Sequence, residues 1–151
     1  MNHSIPGPMV FAPILLSLLC LFGCAAAADA GEAGGVGAAE LTGDWLVEEI
    51  DGKPLLSEAE VTLTFGPEGA FSGDSGVNRL RSSYRLEGGL LQLSEIMATR
   101  MAGPPELMEQ ESRLMAALGQ ARAAQVNGDG IRLLDAAGAV RVVARASSEP
   151  R

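Results

Sequence analysis

Residues 61–72 read VTLTFGPEGAFS, and this stretch decides the fold. Val61, Leu63 and Phe65 alternate with Thr62 and Thr64. That period of two is what a strand with one buried face requires. Gly66-Pro67-Glu68-Gly69 then gathers the residues that bend a chain sharply, and Ala70-Phe71-Ser72 resumes the extended pattern. Two strands joined by so short a turn pair antiparallel.

The same pattern extends in both directions. Upstream, Trp45-Leu46-Val47 opens a strand that ends near Ile50, at an Asp51-Gly52 turn. Downstream, Arg81 to Leu86 places Tyr84 and Leu86 on one side, and Gly88-Gly89 turns it into Leu90-Leu91-Gln92-Leu93. Three further strands are expected at Ala121 to Val126, Gly130 to Leu134 and Ala139 to Ala144. Hairpin-like connections at Asn127-Gly128-Asp129-Gly130 and Asp135-Ala136-Ala137-Gly138 join them. One helix interrupts the strands. Pro104-Pro105 suits its first turn, Leu107, Met108, Leu114, Met115 and Leu118 recur at helical spacing, and Gly119 is placed to close it. Strands on both sides of a single helix, without strand–helix alternation, predict an α+β fold. The expected form is a curled antiparallel sheet or partial β-barrel with one packed helix.

The chain before residue 41 has a different character. Met9 to Phe22 carries no charge and spans about fourteen residues, the length of a signal-peptide core. A membrane-crossing helix needs about 20, and Pro13 interrupts this run. Leu21-Phe22-Gly23-Cys24 has the form of a lipoprotein cleavage box, with small Gly23 ahead of the cysteine to be acylated. Cleavage within Ala25 to Ala28 is the alternative and would release a soluble protein. On the first reading, residues 1–23 are a signal peptide and Cys24 is lipidated. Residues 24–40 form an Ala/Gly tether, 41–145 the folded domain and 146–151 a frayed tail. Ala25 lacks the aspartate that holds many lipoproteins at an inner membrane, so the anchor is expected in the outer membrane, facing the periplasm.

Cys20 and Cys24 are the only cysteines of the chain, and His3 is the only histidine. The mature domain therefore has neither thiol nor imidazole. This removes the usual zinc and copper ligands, so no metal site and no cofactor are expected. Gly73-Asp74-Ser75-Gly76 matches the tetrapeptide around a trypsin-like nucleophile, but no histidine remains to take the serine proton. Asn127, Asp129 and Asp135 could offer oxygens to calcium, although Asn127-Gly128 reads first as a turn. Glu48 and Glu49 should point to opposite faces of their strand and so not cooperate. The net charge of −8 with few aromatics argues against nucleic acid. Acids dominate Glu40 to Asp74, where Lys53 is the only base, while the arginines cluster after Gly76. Such asymmetry offers an acidic face to a basic partner or is an ordinary solvated surface.

Glu111 falls inside the helix's apolar stripe and needs a partner there. The expected cluster joins it to Asn78 and Arg100, with a charge-assisted bond from Arg100 or an adjacent backbone donor.

Five segments in order carry a resemblance. They are Gly43-x-Trp45, Val61-x-Leu63-x-Phe65, Gly73-Asp74-Ser75-Gly76-Val77-Asn78-Arg79, Ala98-Thr99-Arg100-Met101-Ala102 and Glu111-x-x-Leu114-x-x-x-Leu118. Together they resemble the META domain, a family also called HslJ-like after a bacterial heat-shock protein, across roughly Leu41 to Val143. Many members carry cysteines where this chain has Val77 and Gly103, and the resemblance implies that the two pair in those relatives. Ser82, where relatives often have glycine, is a smaller departure. The family brings no established reaction. What it implies is a non-enzymatic, secreted or lipid-anchored protein linked to envelope stress tolerance. The implied partners are the membrane, through the anchor, and an envelope protein. An apolar ligand carried in the half-barrel is the competing expectation.

Overall fold

The computed structural model describes residues 36–57 and 59–148. The expected signal peptide, Cys24 with its expected cleavage and acylation, most of the expected tether, Glu58 and residues 149–151 lie outside the described residues.

The strands are β1 (Gly43–Ile50), β2 (Lys53–Pro54), β3 (Thr62–Phe65), β4 (Ala70–Asp74), β5 (Arg79–Glu87), β6 (Leu90–Leu93), β7 (Met97–Ala98), β8 (Ala123–Asn127), β9 (Gly130–Leu134) and β10 (Val140–Ala146). The helices are α1 (Ala38–Leu41) and α2 (Pro105–Gln120), with a tight 3-10 turn at Pro67–Gly69. Every pairing is antiparallel.

The order β10-β9-β8-β6-β5-β4-β3-β1 returns on itself, because β1 also pairs with β10. The α+β class with a barrel is as expected, but the barrel of eight strands is closed rather than partial. β1 makes closure available: Gly43 to Leu46 bond β3, while Trp45 to Ile50 bond β10. An open sheet would leave the outer N–H and C=O groups of both strands unpaired. The narrowest joint is β6–β8, where Leu90 faces Ala123 and Leu91 N–H reaches the Arg122 carbonyl at 2.9 Å. α2 lies in the crossover between these two strands and places Leu114, Ala117 and Leu118 in the barrel's core cluster.

Alternation supplies that core. Leu63, Phe65, Leu80, Leu91, Ile131 and Leu133 point inward and are fully buried or nearly so. Phe65 centres an aromatic cluster, 5.1 Å from Phe71 and 5.1 Å edge-on from Tyr84. The Tyr84 hydroxyl donates to the Gly66 carbonyl at 2.9 Å, tying the cluster to the turn below it. Gly69 in that turn has φ +80°, and a Cβ there would lie 2.5 Å from the Tyr84 carbonyl oxygen. No other residue fits both the conformation and the space.

Four expectations are corrected. The tether's end is structured: Val36 is buried, α1 forms one helical turn, and Leu41 is fully buried, its carbonyl accepting the Trp45 indole N–H at 2.9 Å. The C-terminal strand runs through Ala146, and Ser147 N–H still bonds the Asp44 carbonyl at 2.8 Å, so the frayed tail does not begin at 146. Gly119 does not cap α2, which continues to Gln120. The Arg122 guanidinium instead donates to the Gly119 and Ala121 carbonyls at 2.9 and 2.6 Å. Finally, β1 slips register between Val47 and Glu49, so Glu48 and Glu49 are both exposed instead of facing opposite sides. A bulge adds one residue and breaks the alternation at that point.

Candidate functional site

The bend between β4 and β5 holds the only carboxylate–serine contact among the described residues. Its shape comes from the sequence Asp74-Ser75-Gly76-Val77-Asn78. Asp74 Oδ1 accepts the Gly76 N–H at 2.8 Å, Gly76 takes φ +86°, and Ser75 N–H bonds the Asn78 carbonyl at 2.9 Å. This short loop turns Ser75 and Asn78 inward, where they are 0% and 2% exposed.

α2 brings Glu111 to meet them. Asn78 Nδ2 donates to both Glu111 oxygens at 3.0 Å, and Ser75 Oγ makes a short hydrogen bond to Glu111 Oε2. Ser75 Oγ in turn accepts the Asn78 N–H at 2.9 Å. The other end of the Asn78 amide holds the segment before α2: Oδ1 accepts from Thr99 Oγ1 at 2.7 Å and from the Met101 N–H at 2.8 Å. Asn78 is thus a hub clamping the β4–β5 bend, the 99–101 segment and α2. Its donors and acceptors are all engaged, so its burial carries little penalty.

The expected grouping of Asn78 with Glu111 is present, but Arg100 is not part of it. Arg100 is exposed and makes no ion pair among the described residues. Two neutral donors already satisfy the Glu111 carboxylate, and moving a guanidinium inward would add its desolvation cost. Sequence reasoning missed the role of Ser75, whose motif suggests a nucleophile, and that of Thr99. It also missed Gln110, buried to 1% exposure, whose Oε1 accepts the Leu56 N–H at 2.8 Å. A visible signal was its place four before Leu114 and seven before Ala117, on the buried helix face.

Chemically the cluster is sealed. Ser75 has a carboxylate where a base would stand, yet no substrate atom could approach a fully buried hydroxyl. The oxygens considered for calcium do not converge either. Asn127 ends β8 and Asp129 lies in the β8–β9 hairpin turn, while Asp135 is occupied by other donors. The N–H groups of Ala139 and Ala137 reach its Oδ1, each at 2.9 Å, and Arg141 bonds its Oδ2 at 2.7 Å. These contacts, the Ala139 N–H foremost and then Arg141, hold the Asp135 carboxyl below the usual carboxylate range. Among the described residues no group of three or more His, Cys, Asp or Glu side chains is placed to hold a metal ion.

The surface has shallow depressions. One of about 500 Å³ lies over β3, β4 and β5, lined by Thr62, Thr64, Ser72, Asp74, Arg79 and Arg81. Another of about 320 Å³ lies over β9 and β10, with Glu48, Asp129, Arg132 and Arg145 at its walls.

Solved structures share this architecture. One NMR structure is 21% identical with a TM-score of 0.59, over 74% of this chain and 95% of its own. An NMR structure of a protein from Burkholderia xenovorans is 21% identical with a TM-score of 0.57, over 98% of this chain and 100% of its own. A crystal structure of a DUF4847 family protein from Bacteroides vulgatus is 12% identical with a TM-score of 0.55, over 73% of this chain and 96% of its own. At these identities the likeness speaks for the fold alone. No curated protein matches the chain. The META domain profile matches residues 39–148, from within α1 to just past the last strand. The hub at Asn78 and the barrel around it therefore belong to a member of the META domain family.

Proposed function

We propose that the chain is a non-catalytic, lipid-anchored protein of the cell envelope, whose META domain supports stress tolerance by binding through its outer surface. The maturation step is cleavage before Cys24 and acylation of that thiol. The place is the outer membrane, facing the periplasm.

The observation that carries the binding mode is the filled barrel. An eight-stranded barrel has room inside for packed side chains or for one small ligand, not both. Here Leu63, Phe65, Phe71, Leu80, Leu91, Ile131 and Leu133 converge on one core cluster, with α2 adding Leu114 and Leu118. A carried apolar molecule would have to displace them. The sealed Ser75 hydroxyl supports the non-catalytic reading in the same way.

Two measurements test the proposal. Metabolic labelling with an alkyne fatty acid should mark the wild type and not Cys24→Ala, and persistent labelling of that variant would refute the anchor. A strain lacking the gene should regain stress tolerance with the full chain. It should not do so with a truncation ending at Glu40, which keeps the anchor and drops the domain. Equal rescue by the two would show that the domain is dispensable.

A further inference from the structure

We propose that the outer face of β3, β4 and β5 is a binding site for an anionic saccharide, a polyhydroxylated ligand bearing carboxylates. The proposal rests on the surface-binding reading and names the ligand class for it.

Strand register builds the site. Thr62, Asp74 and Arg79 stand opposite one another across the three strands, and so do Thr64, Ser72 and Arg81. Their neighbours Leu63 and Leu80 point into the core, so these two rows share the outer face. Together they line the depression of about 500 Å³. The two guanidinium stems lie two residues apart on one strand, about 6.6 Å between their Cα atoms.

Three polar side chains of this groove, Thr62, Arg79 and Arg81, have no hydrogen-bond or ion-pair partner among the described residues. Thr62 is only 9% exposed, yet its hydroxyl makes no hydrogen bond among the described residues while lining the groove. Its neighbour Thr64 shows the contrast, donating to Asp44 at 2.5 Å. Arg79 and Arg81 make no ion pair among the described residues, as is also true of Arg100, Arg113, Arg122 and Arg132, but only these two stand side by side on one groove-lining strand. Asp74 faces Arg79 across the ladder but turns its Oδ1 to the Gly76 N–H. Two free guanidiniums beside a row of hydroxyls and a carboxylate match a ligand with both charge and hydroxyls. The guanidiniums take carboxylates in paired hydrogen bonds, and Thr62, Ser72 and Asp74 take sugar hydroxyls. Leu80 is the one large apolar side chain lining the groove and is only 1% exposed, so an apolar ligand finds little to bury against. A polyphosphate would satisfy the guanidiniums but bring no donor for the Asp74 carboxylate, which a sugar hydroxyl supplies.

The test is calorimetric titration of the full-length protein in detergent micelles with three probes: trigalacturonate, neutral maltotriose, and polyglutamate, which has carboxylates without hydroxyls. Saturable trigalacturonate binding is expected, with maltotriose and polyglutamate at least about tenfold weaker. Arg79→Ala with Arg81→Ala should weaken trigalacturonate at least about tenfold, and Arg85→Ala, outside the groove, should leave it unchanged. Polyglutamate binding as tightly as trigalacturonate would overturn the proposal, as would an Arg79/Arg81 variant that binds like wild type. A wild-type chain that binds none of the probes also overturns it. The surface-binding reading is judged separately, by the failure or success of the truncated chain in the stress assay.

Discussion

Replacing Val77 and Gly103 with cysteines should create a disulfide that stabilises the domain substantially. A Cβ built on Gly103 lies 3.6 Å from the Val77 Cβ and only 2.9 and 3.0 Å from its two methyl carbons. Disulfides place their Cβ atoms about 3.5–4.5 Å apart, so the backbone already holds the required separation. The two Val77 methyls fill the space that a bridging sulfur pair would use. This fits the resemblance, in which relatives carry cysteines at these two positions. The bridge would close a loop of about 27 residues, for which loss of unfolded-chain entropy predicts about 3.5 kcal/mol. It would also staple the β4–β5 bend to the segment before α2, beside the Asn78 hub.

The assay is thermal unfolding of the double variant with and without reductant. Comparing oxidised and reduced forms of one protein cancels the packing lost with the valine methyls. The oxidised form should melt at least about 10 °C higher, taking roughly 4 °C or more per kcal/mol for a domain of this size. Gly103→Ala alone should behave oppositely. Its methyl would press on Val77 at contacts no relaxed structure tolerates, costing about 1–3 kcal/mol. Two thiols that stay titratable after mild oxidation, or that pair only between molecules, would refute the adjacency of Val77 and Gly103.

Three other perturbations probe the barrel and its polar hub. Glu111→Gln replaces one acceptor oxygen with a donor facing Asn78 Nδ2 and should lower stability by about 1–3 kcal/mol in denaturant titration; an unchanged midpoint would refute the structural role of the hub. Phe65→Ala removes the fully buried centre of the aromatic cluster and should cost about 3–5 kcal/mol by the same measurement. Asp135→Asn should be less stable than wild type at neutral pH. Because the folded carboxyl titrates below its unfolded value of about 3.9, its contribution is complete above that pH and is lost as the pH falls through the lower folded value. The melting difference between Asp135→Asn and wild type should therefore close on acidification, and a gap that persists in strong acid would contradict the assignment.

The strands were legible because one physical signal, apolar alternation, survives in Val61 to Phe65 and in most of their neighbours. Closure of the barrel was not legible, since it depends on β1 pairing with a strand almost a hundred residues away. No local pattern records which distant edge a strand will meet. The bulge at Glu48 was hidden for a related reason: an inserted residue looks like any other polar position until the partner strand sets the register. Gly119 misled because glycine is a good helix stop only where nothing else satisfies the last carbonyls, and Arg122 does so here.

The polar hub was half legible for an instructive reason. Glu111 broke the apolar stripe of its own helix, so local periodicity alone showed that it needed a partner. The choice of partner was a matter of three dimensions. Charge logic favours Arg100, yet a half-buried carboxylate is served as well by Ser75 and Asn78, neutral donors that cost far less to desolvate. Arg79 and Arg81 extend the same argument to the outer face. Guanidiniums left in water while carboxylates lie within the fold's reach are not needed for its stability. Charges that the interior does not use are available to a ligand, and in the groove over β3–β5 two of them stand beside unpartnered hydroxyls, which is why the proposed saccharide site is placed there and not in the core.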